Sequence, residues 1–151
     1  MKKLLFLLPL LAATSVIAQD VQDCDGWDSA RNIAEPWEEN TQTFSNGDVR
    51  LAVLDMAEPA AGPLYMMVLS PPFDEQGQPQ CKVISRGEGV GWVQMVFADL
   101  RAGYDPATGL TVTVPGLLYD PEFEFSNAVE LSITVNQATG AISAHEAVGR
   151  H

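Results

Sequence analysis

The chain has little positive charge, little cysteine and, beyond its first residues, no long apolar run. Eight lysines and arginines stand against twenty aspartates and glutamates in 151 residues, a formal net charge of −12. That balance argues against nucleic acid as a partner, because phosphates are neutralised by Lys and Arg. It argues equally against an anionic membrane surface. The usual catalytic signatures are also missing: the chain has no GxSxG elbow, HExxH, Walker loop or CxxC. No cofactor and no metal are expected from it.

What is there is ordinary for a globular protein. Apolar residues make up 46% and aromatics 8%, too much apolar content for a disordered chain. The length suits one domain, since domains run to about 100–200 residues.

The N-terminus reads as a secretory leader. Lys2 and Lys3 form a positive start, Leu4 to Leu11 an apolar core interrupted at Pro9, and Val16-Ile17-Ala18 a peptidase site, so cleavage is expected before Gln19. The run is short for a spanning helix, which needs about 20 apolar residues. Val21-Gln22-Asp23 ahead of Cys24 makes no lipobox, so no lipid anchor is expected. The organisation is thus a signal peptide over 1–18 and a single β-rich domain over 19–151. The sequence suits a small exported bacterial protein, periplasmic or extracellular, with no integral membrane association after cleavage. Cleavage would leave six basic residues against twenty acidic, a formal charge of −14. Such a surface favours solubility, and its sharper reading is attraction of a basic partner or of divalent cations.

Export bears on the cysteines. Cys24 and Cys81 are the only two, and an oxidising compartment favours pairing them. The bond would close a loop of nearly sixty residues, for at most about 4 kcal/mol by the chain-entropy argument. Neither lies near a His in sequence, which disfavours separate thiols acting as ligands or nucleophiles.

Along the mature chain, Trp27, Ala30, Ile33, Ala34 and Trp37 recur at three- and four-residue steps, predicting a short helix over about 26–35 that ends before Pro36 and packs its tryptophans on a sheet. Everything after Asn40 reads as strand. Asn46-Gly47 predicts a hairpin turn between Thr41–Ser45 and Asp48–Met56. Leu64–Leu69 is apolar at every position and should be covered on both faces. The segment 70–80, with three prolines, is expected to be a long surface loop, followed by a strand at Cys81–Ser85. Trp92–Phe97 reads as a strand, as does Leu110–Val114, which should break at Pro115-Gly116. Val129, Leu131, Ile133 and Val135 alternate with polar residues, the pattern of a half-buried strand. A last strand is expected over Ala141–Glu146. The links are too short for parallel crossovers. The fold class is therefore mainly β, an antiparallel meander forming a small barrel or sandwich, with one short N-terminal helix after the cleaved signal peptide.

Each chemical candidate has a plainer reading beside it. His145 and Glu146 are adjacent on one strand, so they point to opposite faces and make no dyad. Gly87, Gly89 and Gly91 read as a turn or bulge, because a strand rather than a helix follows and no phosphate cradle forms. Asp20, Asp23, Asp25 and Asp28 do not follow the Ca²⁺-loop order and read as a solvated acidic start. Glu122 and Glu124 read as the solvent face of a strand. Met66, Met67 and Met95 could line a small apolar cavity, though methionine more often fills gaps in cores. The candidate partner-binding loop is Pro71, Pro72, Phe73, Asp74 and Glu75, which Cys81 would help to pin. Phe73 is expected to fold back onto the core, with exposure for docking as the alternative.

Three function classes follow. The first is a non-catalytic binding or interaction module of the cell envelope with an acidic surface, its partner a basic protein or an envelope component. The second is a carrier of a small apolar ligand in a β-barrel. The third is a small carboxylate-dependent enzyme, which would need its acids, or His145 with an acid, to converge in one cleft.

Overall fold

The computed structural model describes residues 16–24, 26, 29–87, 89–122 and 125–149. Within them the chain forms eleven strands: β1 Val16–Ala18, β2 Asp20–Asp23, β3 Thr41–Phe44, β4 Val49–Asp55, β5 Leu64–Phe73, β6 Pro79–Ser85, β7 Gln94–Met95, β8 Arg101–Asp105, β9 Gly109–Asp120, β10 Phe125–Val135 and β11 Ile142–Val148. All pairings are antiparallel and fall into two sheets. One has the order β1-β11-β10-β9-β7, with β8 also on β9; the other has the order β2-β6-β5-β4-β3.

The two sheets face one another across a single core. The second sheet contributes Val49, Leu51, Val53, Met66, Val68 and Ile84, and the first Leu110, Val112, Val114, Val129, Leu131, Ile133 and Val135. The alternation of β10 does what its sequence pattern predicts: its four apolar residues are buried and face inward. Burying each such side chain is worth about 1.5–3 kcal/mol.

The sheets do not close into a barrel, and the topology shows why. Along one side, β1 and β2 form a nearly continuous strand that switches sheets at Gln19, pairing first with β11 and then with β6. Along the other side, β3 ends the second sheet and β8 pairs only with β9. Among the described residues no strand crosses from one sheet to the other there.

Among the described residues the predicted helix over 26–35 is not seen, and a 3-10 turn occurs at Ala30–Asn32. Backbone pairing accounts for this. The Ala34 amide donates to the Val53 carbonyl at 2.8 Å, and Ile33 bridges Leu54 on β4. A run cut short by Pro36 cannot make a stable isolated helix, so the sheet captures it in extended form. Trp37, expected to pack inward, is 46% exposed; Trp27 lies outside the described residues. The segment instead covers the outer face of the second sheet, where Cys24, Ile33, Met56 and Met67 pack around Leu54, Tyr65 and Val83.

Two proline-bearing segments also depart from expectation. Ser70 to Phe73 continues β5 instead of opening a long loop, and only residues 74–78 separate it from β6. The β5–β6 register shifts between Ser70 and Phe73, so the prolines sit where the ladder is already interrupted. Strand β9 runs through Pro115-Gly116 without breaking. The Pro115 carbonyl accepts from Val96 at 2.8 Å, on the side where β7 and β8 leave a gap between them, so its missing N–H falls where no ladder bond is needed. The expected strand Trp92–Phe97 shrinks to Gln94–Met95, and Phe97–Asp99 is a 3-10 turn.

The hairpin at Asn46-Gly47 forms as predicted. Ser45, Asn46 and Gly47 all take positive φ, at 53°, 58° and 97°.

Candidate functional site

Two arrangements hold polar chemistry of interest, one inside the sandwich and one at its end. The interior one centres on Glu146. In β11 Ile142, Ala144 and Glu146 face inward and Ser143, His145 and Ala147 outward, so Glu146 occupies an apolar slot. It is 1% exposed. Trp92 Nε1 donates to its Oε2 at 2.7 Å, and Arg86 Nε donates to the same oxygen at 3.2 Å. Its Oε1 has no partner among the described residues, and neither has Oε1 of the buried Gln19. Gln19 lies opposite Ala144, where its amide donates to the Ala144 carbonyl at 2.9 Å, so its side chain shares the inward face with Glu146.

Arg86 follows β6, and Trp92, which runs into β7, bridges Leu64 at the start of β5, so this carboxylate of the first sheet is gripped by one donor carried by the second sheet and one held against it. Sequence reasoning found only that His145 and Glu146 point apart, which they do: His145 is exposed. The only local signal for Glu146 was its place two residues on from Ala144 in an alternating strand, and that alternation does not say which face turns inward. With no exposed side-chain surface, the carboxylate ties the sheets together and offers no acid to a solute.

The loop that carries Arg86 is a tight turn. Arg86 donates to the Val90 carbonyl at 2.8 Å and Val90 to the Gly87 carbonyl at 3.0 Å. Gly87 and Gly89 take φ of 114° and 74°, which favour glycine, so the GxGxG segment is the turn its sequence suggested. Tyr65 donates its hydroxyl to the Gly89 carbonyl, and burial raises its pKa above the ordinary tyrosine value. Gly91 passes so close to β5 that a Cβ there would lie 1.9 Å from the Leu64 carbonyl oxygen.

The second arrangement is the β5–β6 hairpin, which contains the candidate loop Pro71, Pro72, Phe73, Asp74 and Glu75. Asp74 Oδ1 accepts from the amides of Gln76 and Gln78 at 2.9 and 2.8 Å, and the Asp74 amide donates to the Gln78 carbonyl at 2.8 Å. Behind the tip, Gln80 Nε2 donates to the Pro71 carbonyl and to the Gly140 carbonyl, both at 2.7 Å. The second bond reaches the β10–β11 turn of the opposite sheet. Gly140 is needed there, since a Cβ would meet Pro72 Cδ at 2.5 Å. Phe73 does not fold back: it is 47% exposed, beside the exposed Asp74 and Glu75. Cys24 and Cys81 are bonded, Cα to Cα 5.4 Å, and the Cys24 amide donates to the Cys81 carbonyl at 3.3 Å.

The remaining candidates stay apart. Asp20 and Asp23 lie on β2, Asp23 paired with Lys82; Asp25 and Asp28 fall outside the described residues. Glu122 is exposed, and Glu124 is outside them. Met66 and Met95 are packed in the core, and Met67 belongs to the small cluster on the outer face, so the three do not line one cavity. Among the described residues no three or more His, Cys, Asp or Glu side chains come together as a metal site, and no helix is long and apolar enough to cross a membrane.

These features define a two-sheet antiparallel β protein with a buried polar tie and a braced, exposed hairpin. Comparisons with protein-family models, with curated proteins and with solved structures give no match to this chain.

Proposed function

We propose that this chain is exported through the leader over residues 1–18 and acts as a non-catalytic binding module of the cell envelope. Its docking element is the β5–β6 hairpin and its partner a basic protein or envelope component. The observation that carries the reading is the half-exposed Phe73 on a hairpin whose backbone is fixed from both sides. An aromatic held in place in advance loses little entropy on docking, and aromatic anchors dominate interface energetics. Asp74 and Glu75 beside it, on a chain of net charge −12, favour a cationic rim on the partner and a fast, salt-sensitive encounter.

A basic wall-degrading enzyme, immobilised as probe, tests this. The exported chain is expected to bind at low salt and to release at high salt, with Phe73→Ala weakening retention severalfold. Retention that ignores both salt and Phe73→Ala overturns the reading. Mass spectrometry of the exported chain tests the leader separately, with Gln19 as the expected first residue; cleavage there removes β1 and leaves the edge of β11 that it covers open.

A further inference from the structure

We infer that the open edge of β3 is a second binding site, one that takes an extended cationic peptide segment of a partner protein as an added strand. It is separate from the Phe73 hairpin and does not depend on it. Three observations meet here. First, among the described residues β3 is hydrogen-bonded on one side only. The Val53 amide donates to the Asn40 carbonyl at 2.9 Å, and with the register Thr41↔Ala52 to Phe44↔Val49 the hydrogen-bonded pairs are those at 40, 42 and 44. In an antiparallel ladder the intervening residues turn their N–H and C=O away from the partner strand. Thr41 and Thr43 therefore present both backbone groups outward, a ready template for another strand.

Second, each face of β3 carries a groove. On the core side a groove of about 340 Å³ is lined by Glu38, Glu39, Phe44, Phe97 and Leu100. On the outer side another, of about 250 Å³, has Thr41, Thr43 and Arg50 nearest the open edge and Ile33, Met67 and Leu69 farther in. A strand added at β3 directs alternate side chains into these two grooves. Strand addition works this way in general: main-chain bonds give affinity and alternating pockets give specificity.

Third, the two grooves differ in charge. The core-side groove pairs two exposed carboxylates with phenylalanine rings, which suits a lysine or arginine whose stem lies on the rings and whose head meets Glu38 or Glu39. The outer groove is apolar and bears a cation, which suits an aliphatic side chain and repels a second lysine. The occupant is thus a segment that alternates basic and aliphatic residues. A second copy of this chain does not fit: residues 41–44 read Thr-Gln-Thr-Phe and bring no cation, and each copy carries a net charge of −12.

The probe is a capped synthetic octapeptide of alternating lysine and valine, titrated into the exported chain and followed by amide exchange and chemical shifts. Binding is expected to protect the Thr41 and Thr43 amides, and the peptide in which glutamate replaces lysine is expected not to bind. Thr43→Pro removes an outward donor without touching a bond to β4 and should weaken binding about tenfold. Glu38→Gln with Glu39→Gln, both on the surface, should weaken it severalfold and flatten its salt dependence. The proposal is overturned by no binding at millimolar peptide, by indifference to both variants, or by self-association through β3. Protection confined to residues 70–80 also overturns it and leaves the hairpin reading standing.

Discussion

Trp92 donates its indole N–H to Glu146 at 2.7 Å inside the sandwich, and this bond joins a residue tied to β5 with one on β11, the two sheets' own strands. A buried carboxylate costs stability unless it is paired, and here Trp92 and Arg86 supply the pairing.

Removing the acceptor outright should therefore cost more than neutralising it. Glu146→Ala leaves Trp92 and Arg86 unpaired and is expected to destabilise by about 3–5 kcal/mol. Glu146→Gln keeps an oxygen for the indole and should cost about 1–2 kcal/mol. Urea denaturation of both variants checks the order, and equal losses would contradict the assigned role.

Tyr65 gives the chain an alkaline sensitivity. Burial raises its folded pKa above the ordinary value of 10.0. Below pH 10 the phenol is neutral in both states and its contribution is intact. As pH rises past 10 the unfolded chain ionises first, so stability falls through the folded pKa. Tyr65→Phe should lose about 1 kcal/mol at neutral pH with the bond to Gly89, yet show a flatter decline above pH 10. Denaturation midpoints measured from pH 8 to about pH 11 would reveal whether the two curves converge.

The disulfide fastens the segment that covers the outer cluster. With a sequence separation of 57 between Cys24 and Cys81, its reduction should cost about 2–4 kcal/mol. Hydrogen exchange should then rise first around residues 29–34, which lie over Leu54 and Val83. Uniform acceleration across the sandwich would argue against that local account.

Two glycines make a matched test of close packing. Gly91→Ala drives a methyl into the Leu64 carbonyl and should cost about 3 kcal/mol or more. Gly103, on the exposed strand β8, has nothing within 4 Å of an added Cβ, and Gly103→Ala should change the thermal midpoint little. A mild Gly91→Ala would mean that the β5 contact can relax.

Much of the strand pattern was legible because burial on one face writes a period of two into the sequence. Val129 to Val135 announces β10, and Asn46-Gly47 announces the first hairpin because both residues tolerate positive φ. The cysteines could be paired by elimination. The prolines misled: Pro71, Pro72 and Pro115 read as breaks, yet each sits where a ladder bond is absent, and that depends on strands distant in sequence. The β5–β6 hairpin was visible as a loop pinned near Cys81, but the exposure of Phe73 was not.

By itself the sequence determined that the chain is antiparallel β, because its alternations and short links are local properties. Only the tertiary structure decided that Ile33 and Ala34 give up the helical period to pair with β4, that the first strand switches sheets at Gln19, and that Glu146 sits inside. Those outcomes rest on hydrogen bonds between segments far apart along the chain, and no local pattern encodes which distant carbonyl an amide will find.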